Sequence, residues 1–208
     1  MDSQFIRGIF IDWNKIGRYS YLRRIDAFRG LRNLDFMKQV TFLVGEKGSG
    51  KSTLLEAIAI SYGFHPDGGT KNSKVPVYSS YPELCSALQV LRGYRKAGRG
   101  YFLKAESFLE IVQEQLQPNG LYIFDEPEAV LSPQRQLTLL WEISECAKKG
   151  SQFIIATHSP ILLGMPDAEI LCFDSGAIHP CKYEETDSYQ VTKMFVNHRK
   201  QFLERLLG

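Results

Sequence analysis

Nine consecutive residues, "GEKGSGKST" (45–53), combine glycine, lysine and hydroxyl side chains at a spacing suited to holding phosphate. Gly45, Gly50, Lys51 and Ser52 satisfy the pattern G-x-x-x-x-G-K-[ST], with Glu46, Lys47, Gly48 and Ser49 between them and Thr53 after. Glycines let backbone amides curl around a phosphate chain, and a following helix points its positive end at the same oxygens. Lys51 would reach the β- and γ-phosphates and face solvent rather than core, while the Ser52 hydroxyl would ligate Mg²⁺. The plainer reading is a glycine-rich turn with a stray lysine. The apolar "VTFLV" before it and the helical "STLLEAIAISYG" after it argue for the phosphate cradle.

Two more stretches could work with this loop. "LYIFDEP" (121–127) ends an apolar run in adjacent carboxylates. Buried strands rarely end that way without a cation or reactant, because unpaired charge there is costly. Asp125 would hold Mg²⁺ through its waters, and Glu126 would polarise a water for attack on the γ-phosphate. Alone, an Asp-Glu pair at a strand end is more often a helix cap; beside a phosphate loop the odds reverse. "FIIATHSP" (153–160) puts His158 directly after another apolar run. A satisfied core histidine is the bland reading, and γ-phosphate contact the one the other motifs favour.

The elements that must position these residues are legible in outline. "VTFLV" (40–44), "LYIFD" (121–125), "FIIAT" (153–157) and "EILCF" (169–173) are apolar throughout, which suits parallel strands covered on both faces. Helical stretches begin at "STLLEAIAISYG", "SPQRQLTLLWEISECAKKG" and "DSYQVTKMFVNHRKQFLERLL". The opening part, "FIRGIFIDW" to "LRNLDF", reads as a short antiparallel element. Turn-forming residues at 63–82 and 93–100 predict loops around a short helix at 83–92. The expectation is an α/β layered domain spanning 1–208, with ligands at the carboxyl ends of the strands.

Composition agrees. A chain of 208 residues, 44% hydrophobic, can bury a full core, and a net charge of +2 demands no polyanionic partner. Residues 1–51 do carry ten Lys/Arg against five Asp/Glu, a solvated basic face by default. Cys85, Cys146, Cys172 and Cys181 form no CxxC pair, and Cys172, His179 and Cys181 lack a fourth zinc ligand. Reduced structural thiols are expected. With no leader pattern and no spanning apolar run, the expected setting is cytoplasmic.

Taken together, "GEKGSGKST", "LYIFDEPEAVLSP" and "ATHSP" resemble the ATP-binding-cassette type of P-loop ATPase. Within that group the chain resembles compact, free-standing AAA-family ATPases related to the recombination, chromosome-maintenance and overcoming-lysogenization heads. The resemblance implies a P-loop NTPase fold with a mostly parallel central sheet, ATP and Mg²⁺ as cofactors, and an ATP-dependent homodimer. By the same resemblance, "VLSP" (130–133) touches the opposite protomer and His158 is the switch histidine.

Such heads carry a signature turn, on a helical lobe, that caps the partner's γ-phosphate. Here Lys51 and Asp125 lie only 125 − 51 = 74 residues apart, and no S-G-G-type turn stands between them. The lobe, about 64–118, therefore reads as reduced. A single "AESFL" (105–109) stands where relatives carry two E-S-F triplets. Glu106 is then either the loop residue after the central strand or a remnant of the signature; a fusion of both is the expectation, with trans capping impaired. Two functions compete: a Mg²⁺-dependent ATPase whose cycle drives association, and an ATP-binding interaction module with little hydrolysis. A kinase leaves the acidic pair and His158 unexplained, and nothing supports a transporter subunit. No residues read bases, so nucleic acid stays open; Tyr19, Arg29 and Arg32 are candidates for adenine contact, though more suited to surface packing.

Overall fold

The computed structural model describes residues 4–70, 82–104 and 116–208. Among the described residues ten strands form two sheets. The small one, in the order β2-β1-β5, is antiparallel and comprises β1 (Ile6–Ile11), β2 (Asn33–Asp35) and β5 (Leu88–Arg92). The large one has seven strands in the order β10-β9-β3-β8-β7-β6-β4. Its centre is β3 (Val40–Val44), β8 (Gln152–Ala156) and β7 (Gly120–Asp125), with β9 (Glu169–Asp174) and β6 (Arg99–Lys104) outside them. All four pairings among these five strands are parallel; β10 (Ala177–Pro180) and β4 (Gly69–Thr70) close the edges antiparallel.

The uninterrupted apolar runs are explained by two cores. Leu43, Leu121, Ile123, Ile154, Ala156 and Leu171 pack on one face, against helix α1 (Lys51–Tyr62) and the small sheet. Their neighbours Phe42, Tyr122, Phe124, Phe153 and Ile155 pack on the other, against α3 (Pro133–Lys148) through Leu139 and Ile143. Strand alternation therefore feeds two apolar layers at once. Helix α1 is buried at Leu54, Leu55, Ala57, Ile58 and Ala59 because it lies between the two sheets, which leaves only a narrow polar face with Ser52 and Glu56. The sheets are also tied by Gln152. Its buried Oε1 accepts from the N–H groups of Phe5 (2.9 Å) and Ile6 (2.8 Å), and its Nε2 donates to Ile6 O (2.7 Å).

Several expectations need correction. The segment 83–92 is only half helix: α2 (Glu83–Ala87) hands over to β5, where Gln89 and Leu91 face outward and Leu88 inward. The described parts of 64–118, expected as a reduced lobe, comprise β4, β5, β6 and the short α2, and the remainder lies outside the described residues. The thiols of Cys172 and Cys181 are not reduced but joined in a disulfide, with Cα atoms 6.2 Å apart; Cys85 and Cys146 are free. The hairpin between β9 and β10 turns through Ser175 (φ 49°) and Gly176 (φ 79°), the double positive φ that a two-residue turn requires. After the short α4 (Pro160–Leu163), the chain ends in α5 (Asp187–Leu207), which is kinked at His198 and buries none of its residues. Among the described residues no helix is long and apolar enough to cross a membrane.

Candidate functional site

Three consecutive strands, β3, β8 and β7, deliver the three singled-out motifs to one edge of the large sheet. Because they are parallel, their carboxyl ends coincide. The loop 45–50 leaves β3, His158 follows β8, and Asp125 with Glu126 ends β7.

The loop closes onto α1 through Gly50, in the left-handed region at φ 100°. A Cβ there would lie 2.9 Å from Ile25 Cγ2 and 3.0 Å from Phe28 Cζ, so neither strain nor space admits a side chain. The N-terminal segment thus backs the loop with apolar side chains. Lys51 corrects the expectation that it faces solvent. It is buried, 4% exposed, with its ammonium donating to the carbonyls of Gly45 (2.7 Å) and Glu46 (2.8 Å). Loss of hydration lowers its pKa, opposed by the fields of Glu126, Asp125 and Glu128.

A cleft of about 430 Å³ opens beside the loop, lined by Lys47, Gly48, Gly50, Lys51, Ser52, Thr53, Lys104, Asp125 and Glu126. Gly45, Glu46 and Ser49 shape the loop without lining it; Gly45 and Glu46 border a second hollow beside His158. Ser52 Oγ donates to Asp125 Oδ1 at 2.9 Å. Burial raises the Asp125 pKa, and the Ser52 hydrogen bond partly offsets it. A hydroxyl and a carboxylate side by side at the cradle's mouth suit a hard cation that takes oxygen ligands and fills its other positions with water and phosphate. Among the described residues no group of three His, Cys, Asp or Glu could hold a metal.

Glu126 occupies the left-handed region (φ 49°), unusual for a residue with a Cβ, and its N–H donates to Ala156 O at 2.9 Å. That conformation turns its carboxylate into the cleft, with Oε1 3.5 Å from His158 Nε2. His158 is half-exposed and anchored on both sides. Thr157 N donates to Leu43 O at 3.2 Å, and Ser159 Oγ, which caps α4, donates to Gln136 Oε1 at 2.6 Å.

Two residues escaped the sequence reading. Glu128 Oε1 accepts the His158 N–H at 2.5 Å, joining the turn after β7 to the loop after β8, while its Oε2 is buried without a partner. The signal was a second glutamate two places after Glu126. Lys104 ends β6 directly opposite Asp125 and was absorbed into the supposed lobe. Of the adenine candidates, Tyr19 is 87% exposed, Arg29 pairs with Asp26 at 2.8 Å and Arg32 is exposed; none lines the cleft. "AESFL", Glu106 with it, lies outside the described residues.

Two family models match the chain. One, described as "AAA domain", covers residues 21–117 and so the phosphate loop; the other, "AAA domain, putative AbiEii toxin, Type IV TA system", covers 108–164 and so the acidic pair and His158. Among solved structures, the chain is similar to "SMC head domain from Thermotoga maritima", at 15% identity and a TM-score of 0.48, over 86% of this chain and 99% of that one. No curated protein matches.

Proposed function

We propose that this P-loop ATPase-type domain, its motifs matched by AAA-domain models on both sides of residue 108, binds ATP with Mg²⁺ and hydrolyses it slowly. The observation that carries the reading is the convergence of Ser52, Asp125 and Glu126 on one cleft, with His158 3.5 Å from Glu126 at its side, from the ends of three adjacent strands. Lys51 leaves the carbonyls of Gly45 and Glu46 to meet phosphate, and the loop amides it uncovers take the oxygens. Ser52 and Asp125 hold the cation. A Mg²⁺ held there would supply positive charge to offset that of the phosphates. Glu126 orients the attacking water and takes its proton, and His158, 3.5 Å away, steadies that carboxylate and faces the terminal phosphate. Residues 1–208 act as one nucleotide-binding unit in this reading, without a membrane partner.

Slow turnover and weak head-to-head association follow from one measurement of chain length. Strand β6 ends at Lys104 and its parallel neighbour β7 begins at Gly120, leaving 120 − 104 − 1 = 15 residues to return from one end of the sheet to the other. A crossover between adjacent parallel strands takes about a dozen residues by itself. Little is left for a lobe that reaches a partner's phosphate. The two family models also meet at 108–117, within this connection. The second reading, an ATP-binding interaction module, draws on the same observation.

Phosphate release by the wild type and by Glu126→Gln separates the two. Hydrolysis predicts a low but measurable rate that falls roughly a hundredfold or more in the variant, with ATP affinity kept. Equal rates in both would leave the binding module.

A further inference from the structure

Helix α1 is cross-linked to the sheet edge twice. Ser52 Oγ meets Asp125 Oδ1 at 2.9 Å, and four residues on, one helical turn along the same face, Glu56 Oε1 meets Lys104 Nζ at 3.1 Å. Lys104 and Asp125 are direct partners in the β6–β7 register, so the two links run side by side. Lys104 also lines the cleft. The side chains of Lys104 and Glu56 are 35% and 30% exposed, open enough for the ammonium to change partners by rotamer. A half-exposed ion pair of this kind contributes little to stability, which leaves its placement to be explained by something else.

Resting on the reading that the cleft binds ATP with Mg²⁺, we propose that Lys104, held back by Glu56, is a positioning residue that sets how tightly the cation binds at Ser52 and Asp125. The ammonium and a divalent ion compete for one negative field. While Glu56 retains the ammonium, Asp125 is left to the metal, but a positive charge stays close enough to weaken the ion's hold. Without Glu56, the lysine would swing to Asp125 and compete directly. The pair thus makes cation retention adjustable from α1, the helix that the phosphate loop opens.

The test titrates Mn²⁺ against protein saturated with AMP-PNP, following the free-ion signal by electron paramagnetic resonance. Lys104→Met should tighten Mn²⁺ binding roughly three- to tenfold, the range expected for one partly screened charge. Glu56→Gln should weaken it by a similar factor, and the double variant, with no lysine to release, should stay tighter than wild type and close to Lys104→Met. A full additive return to the wild-type value would show two independent charges and overturn the inference. Lys104→Arg, which keeps the charge, should match wild type; Lys104→Gln replaces Lys104→Met if the latter does not fold. Shifts in the same direction for Lys104→Met and Glu56→Gln, or no shift, overturn the inference. So does a loss of AMP-PNP affinity in EDTA beyond about tenfold for Lys104→Met, which would make Lys104 a phosphate ligand. Failure of the wild type to bind AMP-PNP by calorimetry would instead overturn the nucleotide site itself.

Discussion

The Lys51 ammonium rests on the carbonyls of the loop that phosphate would draw it from. Lys51→Met keeps the buried stem and removes the charge, so the fold should hold while ATP affinity falls on the order of a hundredfold or more. That is what two charge-assisted bonds of about 1.5–3 kcal/mol each would supply. Calorimetry measures the loss, and undiminished affinity would refute the loop's role. Asp125 offers a contrary stability effect. Burial raises its pKa, so the folded state holds this proton more tightly than the unfolded chain does. Below the ordinary carboxylate range both states are protonated and nothing is lost. As pH rises from that range through the raised value, the folded state loses stability, and the loss is constant above it. Asp125→Asn keeps an acceptor for Ser52 and should raise Tm at neutral pH in EDTA, at about 2–4 °C per kcal/mol gained, while weakening Mg²⁺ retention. A melt as low as wild type's across that pH range would contradict the buried-charge argument. These residues were legible because phosphate loops and acidic strand ends have fixed spacing. Lys51's burial was not, since the competing partner is the loop's own backbone.

At the scale of elements, the turn after β7 and the loop after β8 are joined through one carboxylate. Glu128→Ala removes the acceptor of the His158 N–H and should loosen His158 relative to Glu126. Turnover should drop roughly tenfold with ATP affinity unchanged, while Glu128→Gln, which keeps an oxygen in place, should lose less. Equal losses in the two variants would show that charge, not the anchor, matters. The four apolar strands could be read from sequence because burial on both faces leaves no polar interruption. Strand β5 could not, since "ELCSALQVLR" has helical spacing at its start and only the partner β1 decides that Leu88–Arg92 extends. Strand β6 was also missed. It runs Arg99–Lys104, too short and too polar at both ends to stand out as an apolar run.

For the molecule as a whole, the short connection from β6 to β7 predicts that Glu126→Gln with Mg²⁺ and ATP sediments mostly as a monomer. A tight ATP-dependent dimer in sedimentation velocity would show that the fifteen-residue connection still carries a working partner contact. One further consequence concerns the order in which the molecule can be made. The N–H groups of Phe5 and Ile6 and the carbonyl of Ile6 find their buried partner in Gln152, 147 and 146 positions away. During synthesis from the amino end, the first strand leaves the ribosome long before that amide exists. Until then the core around Ile6, Ile9 and Ile11 lacks Ile154, Ala156, Leu171 and Phe173, and three backbone groups remain unmatched. Strand β1 is thus translated long before its buried partner and is among the last elements to settle, and a nascent chain halted before residue 152 should expose it to proteases and chaperones. Release of residues 152 and beyond would close the seam in one step.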